Sequence, residues 1–116
     1  MELLEPEQII MGLIINAGDA KQHSYQALHL AKAGKYDDAD IEMKQADTAL
    51  LEAHNLQTKF LTQEAQGNQM QITALFVHSQ DHLMTTLTEI NLIKELIEVH
   101  KELNVLKGYT LKGYTI

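Results

Sequence analysis

The stretch that decides the fold is PEQIIMGLIINAGDAKQHSYQALHLAKAG, residues 6–34. Proline suits the first position of a helix, where its missing N–H has no partner, and Gly34 is a typical residue just beyond a helix end. Between them, apolar side chains recur at steps of three and four residues, the spacing of one helix face: Ile9, Ile10, Leu13, Ile14, Ala17, Ala20, Ala27, Leu28 and Ala31. The pattern predicts a first helix over about residues 7–33.

Two further segments carry the same periodicity. Three aspartates within residues 37–40 crowd the start of the second segment, where the helix dipole favours carboxylates, and Gly67 interrupts the pattern. We therefore predict helices over about residues 36–65 and 71–105. Three long helices joined by short loops predict an all-α fold, an antiparallel up-down-up three-helix bundle.

Composition excludes several classes of protein. The chain has 116 residues, which is the size of one domain, and no cysteine, so a thiolate nucleophile or a thiolate metal cage is excluded. A net charge of −7 opposes the phosphate backbone of nucleic acids, so we expect no nucleic-acid partner. Because no apolar run approaches the roughly 18 to 20 residues of a membrane span, we expect no membrane insertion and a cytoplasmic location.

The third predicted helix is apolar on two sides. One side, expected to face the other two helices, comprises Ile72, Phe76, Leu83, Leu87 and Ile90. A stripe roughly opposite begins with polar residues and continues with apolar ones: Gln71, His78, His82, Thr85 and Glu89, then Leu92, Leu96, Val99 and Leu103. We call this set the second stripe. A monomeric three-helix bundle needs only one apolar side, so the second stripe predicts a homo-oligomer.

The candidate site is the segment VHSQDHLM, residues 77–84. His78 and His82 are four residues apart and point the same way, but Ser79 stands where a zinc protease places its glutamate, which excludes that class. Asp81 could share a metal with the histidines or hold one imidazole in a single tautomer. The residues alone leave open a metal site, a reactive histidine with its supporting groups, and a plain polar surface.

The segment VHSQDHLMTT resembles the active-site helix of the lactose/cellobiose-type enzyme IIA components of the phosphoenolpyruvate-dependent sugar phosphotransferase system. Two other stretches extend the similarity: IIMGLIINAGDAK, residues 9–21, and EAHNLQTKFLTQEAQG, residues 52–67. The resemblance runs from about residue 7 to residue 103. The first of these stretches is more similar to the cellobiose or diacetylchitobiose branch than to the lactose branch.

The resemblance implies a function and a set of site residues. His78 matches the histidine that accepts a phosphoryl group from the histidine-containing phosphocarrier protein and passes it to a cysteine of the cognate IIB component, during uptake of a β-linked disaccharide such as cellobiose, chitobiose or lactose. Asp81 matches the aspartate that binds Mg²⁺ on the threefold axis of a homotrimer. Gln80 and His82 match other motif positions and are candidates for orienting the imidazole or the phosphoryl group.

Other functions fit the residues less well. A non-catalytic helical oligomerisation or adaptor module would explain the second stripe but not the polar cluster of residues 78–82. A two-component histidine phosphotransfer domain characteristically places a lysine three residues after its histidine, where Asp81 stands here. A metal-storage protein would need more ligands at helical spacing than the sequence contains.

The C-terminal segment LKGYTLKGYTI, residues 106–116, repeats LKGYT. Its glycines and β-favouring residues predict that the third helix ends before it. We therefore expect one domain over residues 1–105, followed by a flexible tail.

Overall fold

The computed structural model describes residues 5–68 and 71–111, which form three α-helices. α1 spans Pro6–Lys32, α2 spans Tyr36–Ala65 and α3 spans Ala74–Leu111. α1 contacts both other helices extensively, whereas α2 and α3 touch each other at few points. The predicted all-α three-helix fold is confirmed, with α1 as the helix on which the other two pack.

α1 and α2 end in the same way. Gly34 has φ 80° and Gly67 has φ 90°, values in the left-handed region that side chains other than glycine rarely adopt. At the end of α1, the N–H of Lys35 donates to the carbonyl of Leu30 at 2.9 Å, and the N–H of Gly34 donates to that of Ala31 at 3.0 Å. These bonds satisfy carbonyl groups that the helix itself leaves free, so each glycine both ends a helix and reverses the chain.

α3 starts at Ala74, three residues after the predicted start. Thr73 caps it: its Oγ1 accepts a hydrogen bond from the N–H of Phe76 at 3.1 Å, and its carbonyl accepts one from the N–H of Val77, also at 3.1 Å. A threonine hydroxyl that satisfies the third N–H of a helix fixes the first residue of that helix.

α3 also continues past the predicted end at residue 105. Asn104 fastens this part of the helix to the bundle, because its Nδ2 donates to the carbonyl of Ala31 at 3.1 Å and to the hydroxyl of Tyr36 at 2.8 Å. Residues 106–111, the first copy of the repeat and one more leucine, are therefore helical despite their glycine. The expected flexibility of residues 112–116 concerns a segment outside the described residues.

The core lies along the two faces of α1. Near the start of α1, Ile9 and Leu13 are buried against Phe60 of α2 and Leu83 of α3. Near its end the buried cluster is Ala27, Leu28, Ala31, Ala39, Ile93 and Ile97. The early part of α1 thus meets the late part of α2 and the early part of α3, which is the up-down-up arrangement.

Gly12 marks a close approach between α1 and α2. A Cβ atom at this position would overlap Cδ1 of Leu56, so the glycine accommodates that side chain. The buried alanines of α1 and α2 serve the same purpose, because small side chains let helix backbones come close.

The buried face of α3 differs in part from the predicted one. Leu83 and Ile90 are buried as predicted, Phe76 is half-buried, and Ile72 and Leu87 are exposed. The observed face follows alternating steps of four and three residues: Ser79, Leu83, Thr86, Ile90, Ile93 and Ile97. Its two polar members, Ser79 and Thr86, interrupt the apolar pattern from which a buried face is predicted. Ser79 can be buried because its hydroxyl donates to the carbonyl of Phe76 at 2.6 Å.

The apolar half of the second stripe is exposed in the single chain. Leu92, Leu96, Val99 and Leu103 keep between 40% and 60% of their surface accessible. No other helix of the described chain covers them, since α1 packs against the opposite side of α3.

Gly34→Ala should lower the free energy of unfolding by about 1 kcal/mol, because alanine must adopt the left-handed backbone conformation. The matched control is Gly108→Ala: Gly108 lies within α3 with nothing within 4 Å, so alanine there should cost no stability. Urea unfolding followed by circular dichroism measures both. Equal stabilities of the two variants would contradict this account of the helix end.

Candidate functional site

His78 and His82 lie on one face of the first turns of α3. Their imidazole rings are parallel, with an interplanar angle of 2° and ring centroids 6.3 Å apart. His78 is exposed, and His82 is half-buried. The predicted pairing of these two side chains is present, with His78 the more accessible.

The orientation of this face is set by the residues that follow each histidine. Ser79 and Leu83 are both buried in the contact with α1. Because successive residues of a helix are turned by about 100°, the exposed His78 points away from that contact, whereas the half-buried His82 lies at its edge. The packing of α3 therefore presents the two imidazoles together at the surface.

Gln80 is directed towards α2. Its Oε1 accepts a hydrogen bond from Nε2 of Gln57 at 2.6 Å, and its own Nε2 is buried without a hydrogen-bond partner in the described part of the chain. Residues two apart lie on different sides of a helix, so one chain does not bring Gln80 to His78. The sequence reasoning missed Gln57, although it lies within the stretch of residues 52–67 that carries the resemblance.

Asp81 is exposed. Among residues 5–68 and 71–111, no group of three or more His, Cys, Asp or Glu side chains could hold a metal ion. Within these ranges of the single chain, Asp81 therefore does not belong to a cluster of metal ligands.

α1 contributes charged and polar groups to the same side of α3. The hydroxyl of Tyr25 donates to Oε2 of Glu89 at 2.7 Å, and Nζ of Lys21 lies 3.3 Å from Oε1 of Glu89. The hydrogen bond from Tyr25 is the largest effect on the pKa of Glu89, which it lowers below 4.5; partial burial opposes it, and Lys21 and the charge of His82 add to it. The same hydrogen bond, with burial and the charge of Glu89, raises the pKa of Tyr25 above 10.0.

α1 also passes close to the tip of His82. A Cβ atom built on Gly18 would lie 3.9 Å from Nε2 of His82. Gly18, Lys21 and Tyr25 thus form an edge of α1 that borders the second stripe, and the sequence reasoning placed none of them in the site. Their spacing of three and four residues places them on one face of α1, but only the packing of the helices brings that face to His82.

An apolar groove runs between α2 and α3 beside the site. Its volume is about 480 Å³, and it is lined by Asp47, Leu50, Leu51, His54, Gln57, Leu83, Met84 and Leu87. The groove exists because α2 and α3 diverge where α1 separates them. No helix in the described ranges is both long enough and apolar enough to cross a membrane.

The chain matches a known family over most of its length. The family model described as "PTS system, Lactose/Cellobiose specific IIA subunit" covers residues 8–101. The N,N'-diacetylchitobiose-specific EIIA component of Escherichia coli (strain K12) is 45% identical over 102 residues, which are 88% of this chain and 88% of that protein.

Two solved structures resemble the fold closely. The cellobiose-specific enzyme IIA from Bacillus anthracis has a TM-score of 0.83 and 39% identity, over 90% of this chain and 95% of that one. The IIA(chitobiose) chain of the Escherichia coli IIA(chitobiose)-HPr complex has a TM-score of 0.75 and 44% identity, over 87% of this chain and 98% of that one. This chain therefore belongs to the lactose/cellobiose-specific IIA family of the sugar phosphotransferase system, which confirms the predicted family.

Tyr25→Phe tests the hydrogen bond to Glu89. A lowered pKa in the folded chain means that ionised Glu89 contributes stability above pH about 4.5, and this contribution is lost as the pH falls through the folded pKa. Removing the largest cause should therefore destabilise the chain near neutral pH by a few tenths of a kcal/mol, because solvent screens this partly exposed pair, and the cost should be smaller at about pH 3. Urea unfolding at both pH values measures it.

Tyr36→Phe is the matched control. Its hydroxyl accepts a hydrogen bond from the amide of Asn104, which does not titrate, so the cost of this change should be the same at both pH values. If the cost of Tyr25→Phe were equally independent of pH, the coupling of Tyr25 to Glu89 would be wrong.

Proposed function

We propose that this chain is a phosphoryl-relay protein: His78 accepts a phosphoryl group from HPr, the histidine-containing phosphocarrier protein, and passes it to a cysteine of the cognate IIB component. The observation that carries the proposal is the exposed imidazole of His78, held on the surface of α3 by the buried neighbours Ser79 and Leu83. The complex of the related IIA(chitobiose) with HPr supports HPr as the donor.

The reaction needs an accessible nucleophile more than it needs a pocket. The lone pair of a ring nitrogen of His78 forms a bond to phosphorus while the N–P bond of the donor phosphohistidine breaks, and the electron pair of that bond stays with the donor imidazole. The thiolate sulfur of the IIB cysteine then attacks phosphorus in the same in-line manner, while the N–P bond to His78 breaks and its electron pair returns to the His78 imidazole. Phosphoryl transfer of this kind depends on positioning and charge stabilisation. We expect Nε2 of His78 to react, because the tip of the ring reaches furthest from the helix.

His82 is the supporting residue that the geometry favours. Because its ring is parallel to that of His78, with 6.3 Å between centroids, nitrogens of both rings can contact one phosphoryl group. A hydrogen bond from His82 to a phosphoryl oxygen would stabilise the negative charge of that group. Gln80 stays a predicted supporting residue, although within one chain Gln57 holds its amide on another side of α3 from His78.

The proposal includes a homotrimer built on the second stripe. Exposed Leu92, Leu96, Val99 and Leu103 form a continuous apolar row that a second and third α3 would cover. Three copies would bring three Asp81 carboxylates together at the axis, where their repulsion needs a cation such as Mg²⁺. The role of this ion is structural, since it compensates charge and takes no part in the transfer.

The relay serves uptake of a β-linked disaccharide such as cellobiose, chitobiose or lactose. The family name and the diacetylchitobiose-specific relative support this class of sugar. The sugar itself does not bind to this chain, which handles only the phosphoryl group. A cytoplasmic location belongs to the proposal, because both exchange partners must reach His78.

The first test is transfer of radiolabelled phosphate from phosphoenolpyruvate, with the general phosphotransferase proteins supplied. Acid-labile label should appear on the wild-type chain and on His82→Ala, which lacks only a supporting group, and not on His78→Ala, which lacks the nucleophile. His100→Ala, far along α3, is the matched control and should be labelled at the wild-type rate. A folded wild-type chain without label would favour the non-catalytic adaptor.

The trimer is tested by analytical ultracentrifugation. Leu96→Asp should yield monomers at micromolar concentration, because each copy loses the burial of the exposed half of a leucine, worth about 1 kcal/mol, and gains a charge near two others. Leu61→Asp alters an exposed leucine of α2 away from the stripe and should leave the trimer intact. EDTA should weaken the wild-type trimer and not that of Asp81→Asn. A monomeric wild-type chain would refute the oligomer.

A further inference from the structure

Gly18 occupies an unusual position in α1. It lies in the middle of the helix, where glycine costs stability relative to alanine, and it does not have positive φ, so the backbone does not require it. A Cβ atom there would meet one group within 4 Å, Nε2 of His82, at 3.9 Å. The group that a side chain at residue 18 would first contact is therefore the tip of the His82 imidazole.

The place of His82 makes this contact relevant to His78. The half-buried His82 ring lies beside α1 and is parallel to the exposed ring of His78. A methyl group on residue 18 would touch Nε2 at an ordinary contact distance. A branched or longer side chain would need the space of the ring itself, so the imidazole would turn to another rotamer and leave its alignment with His78.

We propose that Gly18 is a positioning residue that acts through His82. The absence of a side chain keeps open the niche beside α1 in which the imidazole of His82 lies, with Nε2 available to donate a hydrogen bond to the phosphoryl group on His78. This inference rests on the proposed phosphoryl relay. It gives a role to the stretch IINAGDAK of residues 14–21, which the relay chemistry at α3 otherwise leaves without one.

The kinetic test uses single-turnover transfer from phosphorylated HPr to the full-length chain. Gly18→Leu should slow the maximal transfer rate about tenfold or more, the effect of one lost charge-assisted hydrogen bond, without raising the HPr concentration needed for half-maximal rate. Gly18→Ala should stay within about threefold of wild type. Gly108→Leu is the matched control, because Gly108 is also helical and has nothing within 4 Å.

A double-mutant cycle separates positioning from general damage. If Gly18 acts through His82, the variant carrying both Gly18→Leu and His82→Ala should transfer no more slowly than His82→Ala alone. If instead the two losses multiply, Gly18 does not act through His82 and the inference is wrong.

A spectroscopic measurement tests the contact between Gly18 and His82 independently of phosphoryl transfer. The variant Gly18→Ala should fold, because alanine favours the helix. In imidazole ¹⁵N spectra it should shift the Nε2 resonance of His82, whereas the control Gly108→Ala should leave this resonance unchanged. An unshifted His82 resonance in Gly18→Ala would overturn the inference. A wild-type chain that takes no label would refute the relay itself, and the spectra would still decide whether Gly18 and His82 are in contact.

Discussion

The packing of α1 against two helices at once is the constraint on which the rest of the structure depends. Alanines line the contacts at Ala17, Ala20, Ala27 and Ala31, each fully buried, and they let both neighbours approach closely. Because α1 takes this central place, α2 and α3 scarcely meet, which opens the apolar groove between them. α3 consequently packs mainly on α1, and the roughly opposite side, which carries Leu92 and Leu96, is left exposed in the single chain.

The orientation of α3 about its own axis determines both which residues enter the core and which residues lie at the surface around the histidines. A helix that buries Ser79 and Leu83 against α1 must turn His78 and His82 outwards, so the same packing that stabilises the bundle presents the imidazoles. Further along the helix, the same side carries Leu92 and its apolar successors. One face of one helix thus combines the proposed phosphoryl site with the proposed contact between copies, so the proposed relay requires no deep pocket.

α1 and α2 both contribute residues to the surroundings of the two histidines of α3. α1 brings Gly18 to the tip of His82 and the hydrogen bond of Tyr25 to Glu89, and α2 holds Gln80 through Gln57. These contacts join residues far apart in the chain. His78 itself is exposed, while the residues around it are fixed by packing and hydrogen bonds.

The sequence by itself determined the number of helices, their order, the glycine ends of α1 and α2, and the pairing of His78 with His82, because these follow from local periodicity and backbone preference. Only the tertiary structure decided the buried face of α3, where polar Ser79 and Thr86 interrupt the apolar pattern, and its extension past residue 105, where Asn104 bonds to α1 and α2. The positions of Gly18 beside His82 and of Gln57 beside Gln80 were also decided only by the tertiary structure. Contacts between distant segments depend on how the helices lie against one another, which no local spacing encodes.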